Sequence, residues 1–264
     1  LVCLDKIMTL QSNEHSSGMT ALRSLTEVLI KELDPRETDR VLDVGTGSGQ
    51  LAVVLCKLVP KGFITGVDPA RDRLGVAKDS MLRHEVANVL LVHGRAETLP
   101  FAPQVFDSAC LRFSLHHFAS PEIAIAEICR VLRAEGHLVS VDPVLKDPVD
   151  EEEKRLNELT EDAFRLAHGH QHRFFTGSEL QRLYENVGLA VQSCDAYDFP
   201  VRQRGTAGIP QGAHWLQAYN LLRLRQEEAL IEKFEQNYFS FREEAGQLLV
   251  EGKTSWVIIK AVKS

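Results

Sequence analysis

The chain has 264 residues, of which 30 are basic and 37 acidic, for a formal net charge of −7. That balance leaves no surplus of lysine and arginine to follow a phosphate backbone, so a nucleic-acid partner is not expected; the length suits one α/β domain with an insertion. Cys3, Cys56, Cys110, Cys129 and Cys194 are scattered, odd in number and without a C-x-x-C pair, which predicts reduced thiols and no disulfide framework or zinc site. There is no signal-peptide pattern and no apolar run long enough to cross a bilayer. A cytoplasmic location is the expectation, and a chain opening on Leu1 is expected to have lost a short upstream piece.

From the N-terminus, Met19, Leu22, Leu25, Val28 and Leu29 recur at helical spacing and predict a helix over 18–33, within an N-terminal helical cap at 1–37. Apolar runs and helical patterns then alternate. Strands are expected near 39–44, 63–68, 88–93, 105–111 and 136–142, and helices near 50–58, 71–84 and 121–133. Ser120-Pro121-Glu122 supplies an N-cap and a first-turn proline, and Gly136 falls just past the helix end. Such alternation predicts an α/β protein with a doubly wound, mostly parallel sheet, whose ligands bind beyond the carboxyl ends of the strands. Gly45 to Gly49, Asp68, Arg95 to Glu97, Arg112 to His117 and Asp142 all fall at such ends.

Further on, a helix is expected over 150–168, where the acidic run from Asp147 to Asp162 fits a solvated face, and another over 178–187. Leu189 to Phe199 and Ser255 to Val262 read as strands. Between them, 200–253 opens on a Gly/Pro-rich stretch and passes into a long helical pattern. Intervening segments of this length serve as lids or binding elements.

The chemistry is concentrated in Val41-Leu-Asp-Val-Gly-Thr-Gly-Ser-Gly49 and in Asp68, about twenty residues on. Glycine at 45, 47 and 49 lets the chain turn sharply and bring backbone N–H groups close to a ligand. Asp68 closes the next strand, where a βαβ unit holds a carboxylate against a ribose diol. A dinucleotide fingerprint needs a third glycine where this chain has Gln50. Asp43, at the mouth of the loop, repels a diphosphate and suits an ammonium or sulfonium cation. S-adenosylmethionine carries both cations and is the expected cofactor.

Val41 to Ala52, Gly66-Val-Asp-Pro69, Gly94-Arg-Ala-Glu-Thr-Leu-Pro-Phe101, Phe106 to Phe118 and Ala126 to Gly136 stand in a familiar order and spacing. Over residues 38–143 the chain resembles the class I S-adenosylmethionine-dependent methyltransferases, in particular the small-molecule branch with the ubiquinone and menaquinone biosynthesis methyltransferases. The resemblance implies a Rossmann-like methyltransferase fold: a mostly parallel seven-stranded sheet with an antiparallel last strand, plus a helical insertion. It implies a single domain over 1–264, with 38–145 as the cofactor-binding core, 146–199 and 254–264 as the rest of the core, and 200–253 as a helical lid. On the matching positions, Asp43, Gly45, Thr46, Gly47 and Gly49 admit the methionine and ribose parts of the cofactor. Asp68, followed by Pro69, accepts from the ribose hydroxyls, and the backbone at Leu111 and Arg112 approaches the methionine end. Where the family commonly sets an aspartate against the adenine amino group this chain has Arg95, which has no acceptor. The adenine contact is then left to the backbone at Ala96 or to Glu97.

Methyl transfer from a sulfonium needs alignment more than a nucleophile, and neither G-x-S-x-G nor H-E-x-x-H is present. His116 and His117 are the candidates for a general base, since imidazole titrates near neutrality; for His117, bracing the loop is the alternative. His168, His170 and His172 alternate without converging ligands elsewhere, so a polar connection is expected and no metal. Arg173, Phe174 and Phe175 precede a helix start at Thr176 and read as a hydrophobic staple. Trp215, Tyr219, Tyr238 and Phe239 read as core before they read as the wall for a flat acceptor. The expected activity is methyl transfer from S-adenosylmethionine to a small organic molecule, with oxygen, nitrogen or carbon as the receiving atom. The alternatives are an inactive S-adenosylmethionine-binding partner and a nicotinamide oxidoreductase. Beyond a small-molecule acceptor, no nucleic acid and no membrane span are expected, and a homodimer is left open.

Overall fold

A computed structural model describes residues 17–168 and 172–264. Residues 1–16 of the expected cap, with Cys3, and His170 lie outside the described residues, and of Met19 and His168 only the backbone is described. The elements are α1 (Ser17–Leu33), β1 (Arg40–Val44), α2 (Gln50–Leu58), β2 (Phe63–Asp68), α3 (Arg71–Arg83), β3 (Val89–His93), β4 (Phe106–Arg112), α4 (Pro121–Val131) and β5 (Leu132–Leu145). Then come α5 (Glu151–His168), β6 (Phe175–Thr176), α6 (Gly177–Glu185), β7 (Leu189–Arg204), α7 (Gly212–Leu224), α8 (Glu228–Asn237), β8 (Phe239–Glu244) and β9 (Gln247–Lys263).

The strands form one sheet in the order β3-β2-β1-β4-β5-β9-β7, with the short β6 beside β5 and β8 beside β9. β1 to β5 pair in parallel, and β9, the last strand, alone runs against the rest. The expected seven-stranded path is present, with two short additions. Strand alternation sends side chains into two cores. Val41 and Ile64 face Leu25, Leu29, Leu55 and Met81 of α1 to α3. Leu42 and Leu138 face Ile125 and Ile128 of α4 and Tyr184 of α6.

Two departures from the sequence reading matter for the site. β5 begins directly after α4, with Leu132 opposite Phe106 and a register shift before His137 meets Ser108. More consequentially, β7 and β9 run on as a ladder to Arg204 and Leu249, so the segment 200–253 is extended at both ends and helical only over α7 and α8. Pro200 made Phe199 look like a strand end. It sits instead on an edge strand, where the absent N–H breaks no ladder. The β extension, α5, α7 and α8 enclose a third core around Phe164, Trp215, Phe234 and Phe239. No helix among the described residues is long and apolar enough to cross a membrane.

Candidate active site

β1 delivers the chain into the glycine loop above β2. Gly45, Gly47 and Gly49 have φ of 75°, 55° and 75°, the left-handed region that glycine enters without strain. At Gly45 there is no room either, since an added Cβ would lie 2.5 Å from the Cβ of Ser114. The N–H groups of Gly45 and Thr46 donate to the Val67 carbonyl at 2.8 and 3.1 Å, and that of Gly47 donates to Asp68 Oδ2 at 2.9 Å. The first three donors of the loop are therefore turned onto β2. At 45, 47 and 49 the glycines supply curvature and clearance, and their N–H groups are used by β2 and within the loop.

Asp68, buried at the end of β2, also accepts the N–H of Ala70 on Oδ1 at 2.8 Å. Each of its oxygens keeps a second lone pair, so holding the loop and accepting from a diol are compatible in one carboxylate. Asp43 lies behind the loop, accepting the Thr46 hydroxyl at 2.7 Å, with the Cys110 thiol 3.8 Å from its other oxygen. Burial pushes its carboxyl up to about 6, against the downward pull of the Thr46 hydroxyl and the Arg112 guanidinium. Two expected cofactor residues send their side chains elsewhere, because β4 alternates. Leu111 is wholly inside the core under α4, and Arg112 donates from Nε to Thr26 Oγ1 of α1 at 2.8 Å, its guanidinium 4.7 Å over the Phe113 ring.

Beyond these strand ends opens a cleft with about 380 Å³ of empty space continuous with solvent. Of the candidate site residues, Gly45, Pro69, Arg95, Ala96, Glu97 and His117 line it. Val44, Val67, Gly94 and Phe118 join them; the valines were hidden in core-strand patterns, whereas an aromatic directly after the histidine pair was a usable signal. Glu97 is heavily engaged. Its Oε1 accepts the N–H groups of Ala119 and Ser120 at 2.9 and 3.3 Å, and Oε2 lies 3.4 Å from Arg95 Nε. The Arg95 side chain is half exposed at the rim.

After β4, Leu115–His117 form a single 3₁₀ turn. His116 is buried and its Nδ1 meets Asp142 Oδ1 on β5; the same carboxylate accepts the N–H groups of Leu115 at 3.1 Å and His116 at 3.4 Å. His117 is exposed, lines the cleft and places its ring centroid 4.0 Å from that of His116. His172 comes within 5.2 Å of His116 and 5.8 Å of His117, ring to ring, and its Nε2 lies 3.1 Å from Gln211 Nε2 at the start of α7. Sequence spacing had no means of finding this meeting. Trp215, Tyr219, Tyr238 and Phe239 are packed into the third core, as their core reading has it. Thr176 and Glu179 form a capping box at α6, with Phe174 and Phe175 in separate cores. Among the described residues, no group of three His, Cys, Asp or Glu side chains is arranged to hold a metal ion.

A methyltransferase domain matches residues 35–201. The chain belongs to this family, of the class I S-adenosylmethionine type. It is 31% identical over 176 residues to YcgJ, an uncharacterized methyltransferase of Bacillus subtilis, covering 66% of each. It is 35% identical over 115 residues to the demethylmenaquinone methyltransferase of Staphylococcus aureus, 43% of this chain and 47% of that one. The chain thus spans about two thirds and about half of these curated relatives. The crystal structure of YcgJ superposes with a TM-score of 0.73 at 24% identity, over 90% of this chain and 97% of that one. Geranyl diphosphate methyltransferase, solved in complex with S-adenosylmethionine, shares the fold with a TM-score of 0.59 at 16% identity, covering 91% and 85%. Neither the nicotinamide alternative nor the inactive partner draws support from these relatives.

Proposed function

We propose that the protein is an active enzyme that transfers a methyl group from S-adenosylmethionine to a small organic acceptor. The observation that carries this reading is the cleft at the ends of β1, β2 and β4, with the buried Asp43 carboxylate behind its glycine loop. In this reading the ribose hydroxyls donate to Asp68. The adenine lies against Pro69, Val67 and Phe118, its edge met by the backbone at Ala96, with Arg95 and Glu97 at the rim. The methionine part runs along Gly45, Thr46, Gly47 and Gly49 towards the backbone of Leu111 and Arg112. Asp43 favours the cationic end of the ligand through its charge. His117 faces the acceptor side of the cleft with His116 behind it, and α5, α7 and α8 roof that side. The transfer is an in-line displacement, for which holding the nucleophile and methyl in line with water excluded supplies much of the acceleration. The names of two relatives, acting on demethylmenaquinone and on geranyl diphosphate, support a small acceptor.

Calorimetric titration with S-adenosylmethionine, S-adenosylhomocysteine and NAD tests the donor. The first two should bind and NAD should not; binding of NAD alone would end this reading. With methyl-labelled donor and an acceptor in hand, His117→Ala turning over at the parental rate would remove His117 from proton transfer.

A further inference from the structure

Two side chains of opposite kind stand on one turn at the edge of the cofactor cleft. Val67, Pro69 and Phe118 give the cleft apolar walls, and Arg95, Glu97 and His117 are the polar side chains among the described residues that line it. Glu97 is fixed in place, because its Oε1 accepts the N–H groups of Ala119 at 2.9 Å and Ser120 at 3.3 Å, which ties the turn after β3 to the turn after β4. Its Oε2 lies 3.4 Å from Arg95 Nε. The Arg95 side chain is half exposed, and among the described residues its Nη groups donate no hydrogen bond. A carboxylate oxygen and a set of unused guanidinium donors therefore lie side by side where a flat base against the apolar walls presents its edge.

Purine bases differ at that edge. Adenine carries an amino donor at C6, whereas a 6-oxopurine carries an acceptor there and an N–H donor at N1. A protein edge with acceptors alone selects adenine, because the oxo form leaves its oxygen unpaired against them. The edge at Arg95 and Glu97 has both kinds of group. Glu97 Oε2 can accept from the amino group of the one base or from N1–H of the other. The guanidinium can donate to the oxygen, the pairing that an arginine fork makes with O6 and N7 of guanine. His117 donates or accepts according to its tautomer and so does not separate an amino group from an oxygen. We infer that the cofactor site does not select adenine: it takes 6-oxopurine nucleoside thioethers and sulfoniums as well, and Arg95 is the specificity-determining residue that admits them. This rests on the methyltransferase reading above and adds a ligand class to it. Because the Arg95 guanidinium is half exposed, water competes for its donors, and its contribution is a modest factor rather than a large one.

The test is a calorimetric titration of the full chain with S-adenosylhomocysteine and with S-inosylhomocysteine, its 6-oxo counterpart. The two ligands share the ribose, the amino-acid part and their net charge near neutral pH, so those contributions cancel and the ratio of the two affinities reports the base edge. The wild type should bind both, with a preference for the adenine ligand of less than about tenfold. Arg95→Ala should weaken the 6-oxo ligand about 3–10-fold more than the adenine ligand. Arg95→Asp, which leaves acceptors alone at the edge, should raise the preference for adenine to about tenfold or more. A tenfold or greater preference for adenine in the wild type, equal effects of Arg95→Ala on both ligands, or a ratio unchanged in Arg95→Asp would each overturn the inference and leave the methyltransferase reading standing. Failure of the wild type to bind either ligand would strike that reading first. Both substitutions fall on a half-exposed side chain, and a melting temperature near that of the wild type checks that the variants are folded.

Discussion

The residues up to Leu145 and the third core, formed by α5, α7, α8 and the outer β ladder, are stabilised in different ways. In the first region carboxylates reach across the sheet ends and hold loops by their backbone: Asp68 on Gly47 and Ala70, Glu97 on Ala119 and Ser120, Asp142 on Leu115 and His116. In the third core, rings pack on rings, with centroids 4.6 Å apart for Phe164 and Phe174, 5.1 Å for Trp215 and Tyr238, and 5.2 Å for Tyr219 and Phe241. Hydrogen bonds to backbone demand particular residues at particular places, whereas a hydrophobic core accepts many combinations of similar volume. The contrast explains why the donor is readable in this chain and the acceptor is not.

The strongest blow to the comparison would come through the third core. Trp215→Ala should destabilise the chain by about 3–5 kcal/mol in denaturant unfolding while leaving cofactor affinity unchanged at temperatures where the protein stays folded. If affinity collapsed with it, the two regions would not be separable. Asp68→Ala should weaken S-adenosylmethionine by about 2–3 kcal/mol in a calorimetric titration and also lower the melting temperature, since Gly47 and Ala70 lose their acceptor. Unchanged affinity would take Asp68 out of the site.

The smallest effect concerns Asp43. Its folded value of about 6 lies above the ordinary 3.8, so its ionisation costs stability as pH rises between the two, and the whole cost is present above about 6. The ionised form therefore prevails near neutral pH, where it favours a sulfonium. S-adenosylhomocysteine lacks that charge. Lowering the pH from about 7.5 to about 5 should narrow the preference for S-adenosylmethionine over S-adenosylhomocysteine by up to about 1 kcal/mol, and a ratio flat over this range would deny Asp43 an electrostatic role.

What the sequence determined by itself was local. The glycine spacing, the acid ending β2 and the alternation of strands and helices follow from neighbours along the chain, and together they specify the fold class and the donor end of the cleft. Tertiary structure decided the rest. Strand alternation turned the side chains of Leu111 and Arg112 to other partners, in the core under α4 and on α1, which their spacing does not specify. Edge position allowed Pro200 to stay within a strand, and about a third of the expected helical lid is sheet. The pairing of Arg112 with Val141 in parallel register set the turn after β4 against Asp142, twenty-six residues away from His116. In a parallel sheet, which strands become neighbours is set by helical crossovers and by burial of both faces, and neither is written in the spacing of the residues that meet.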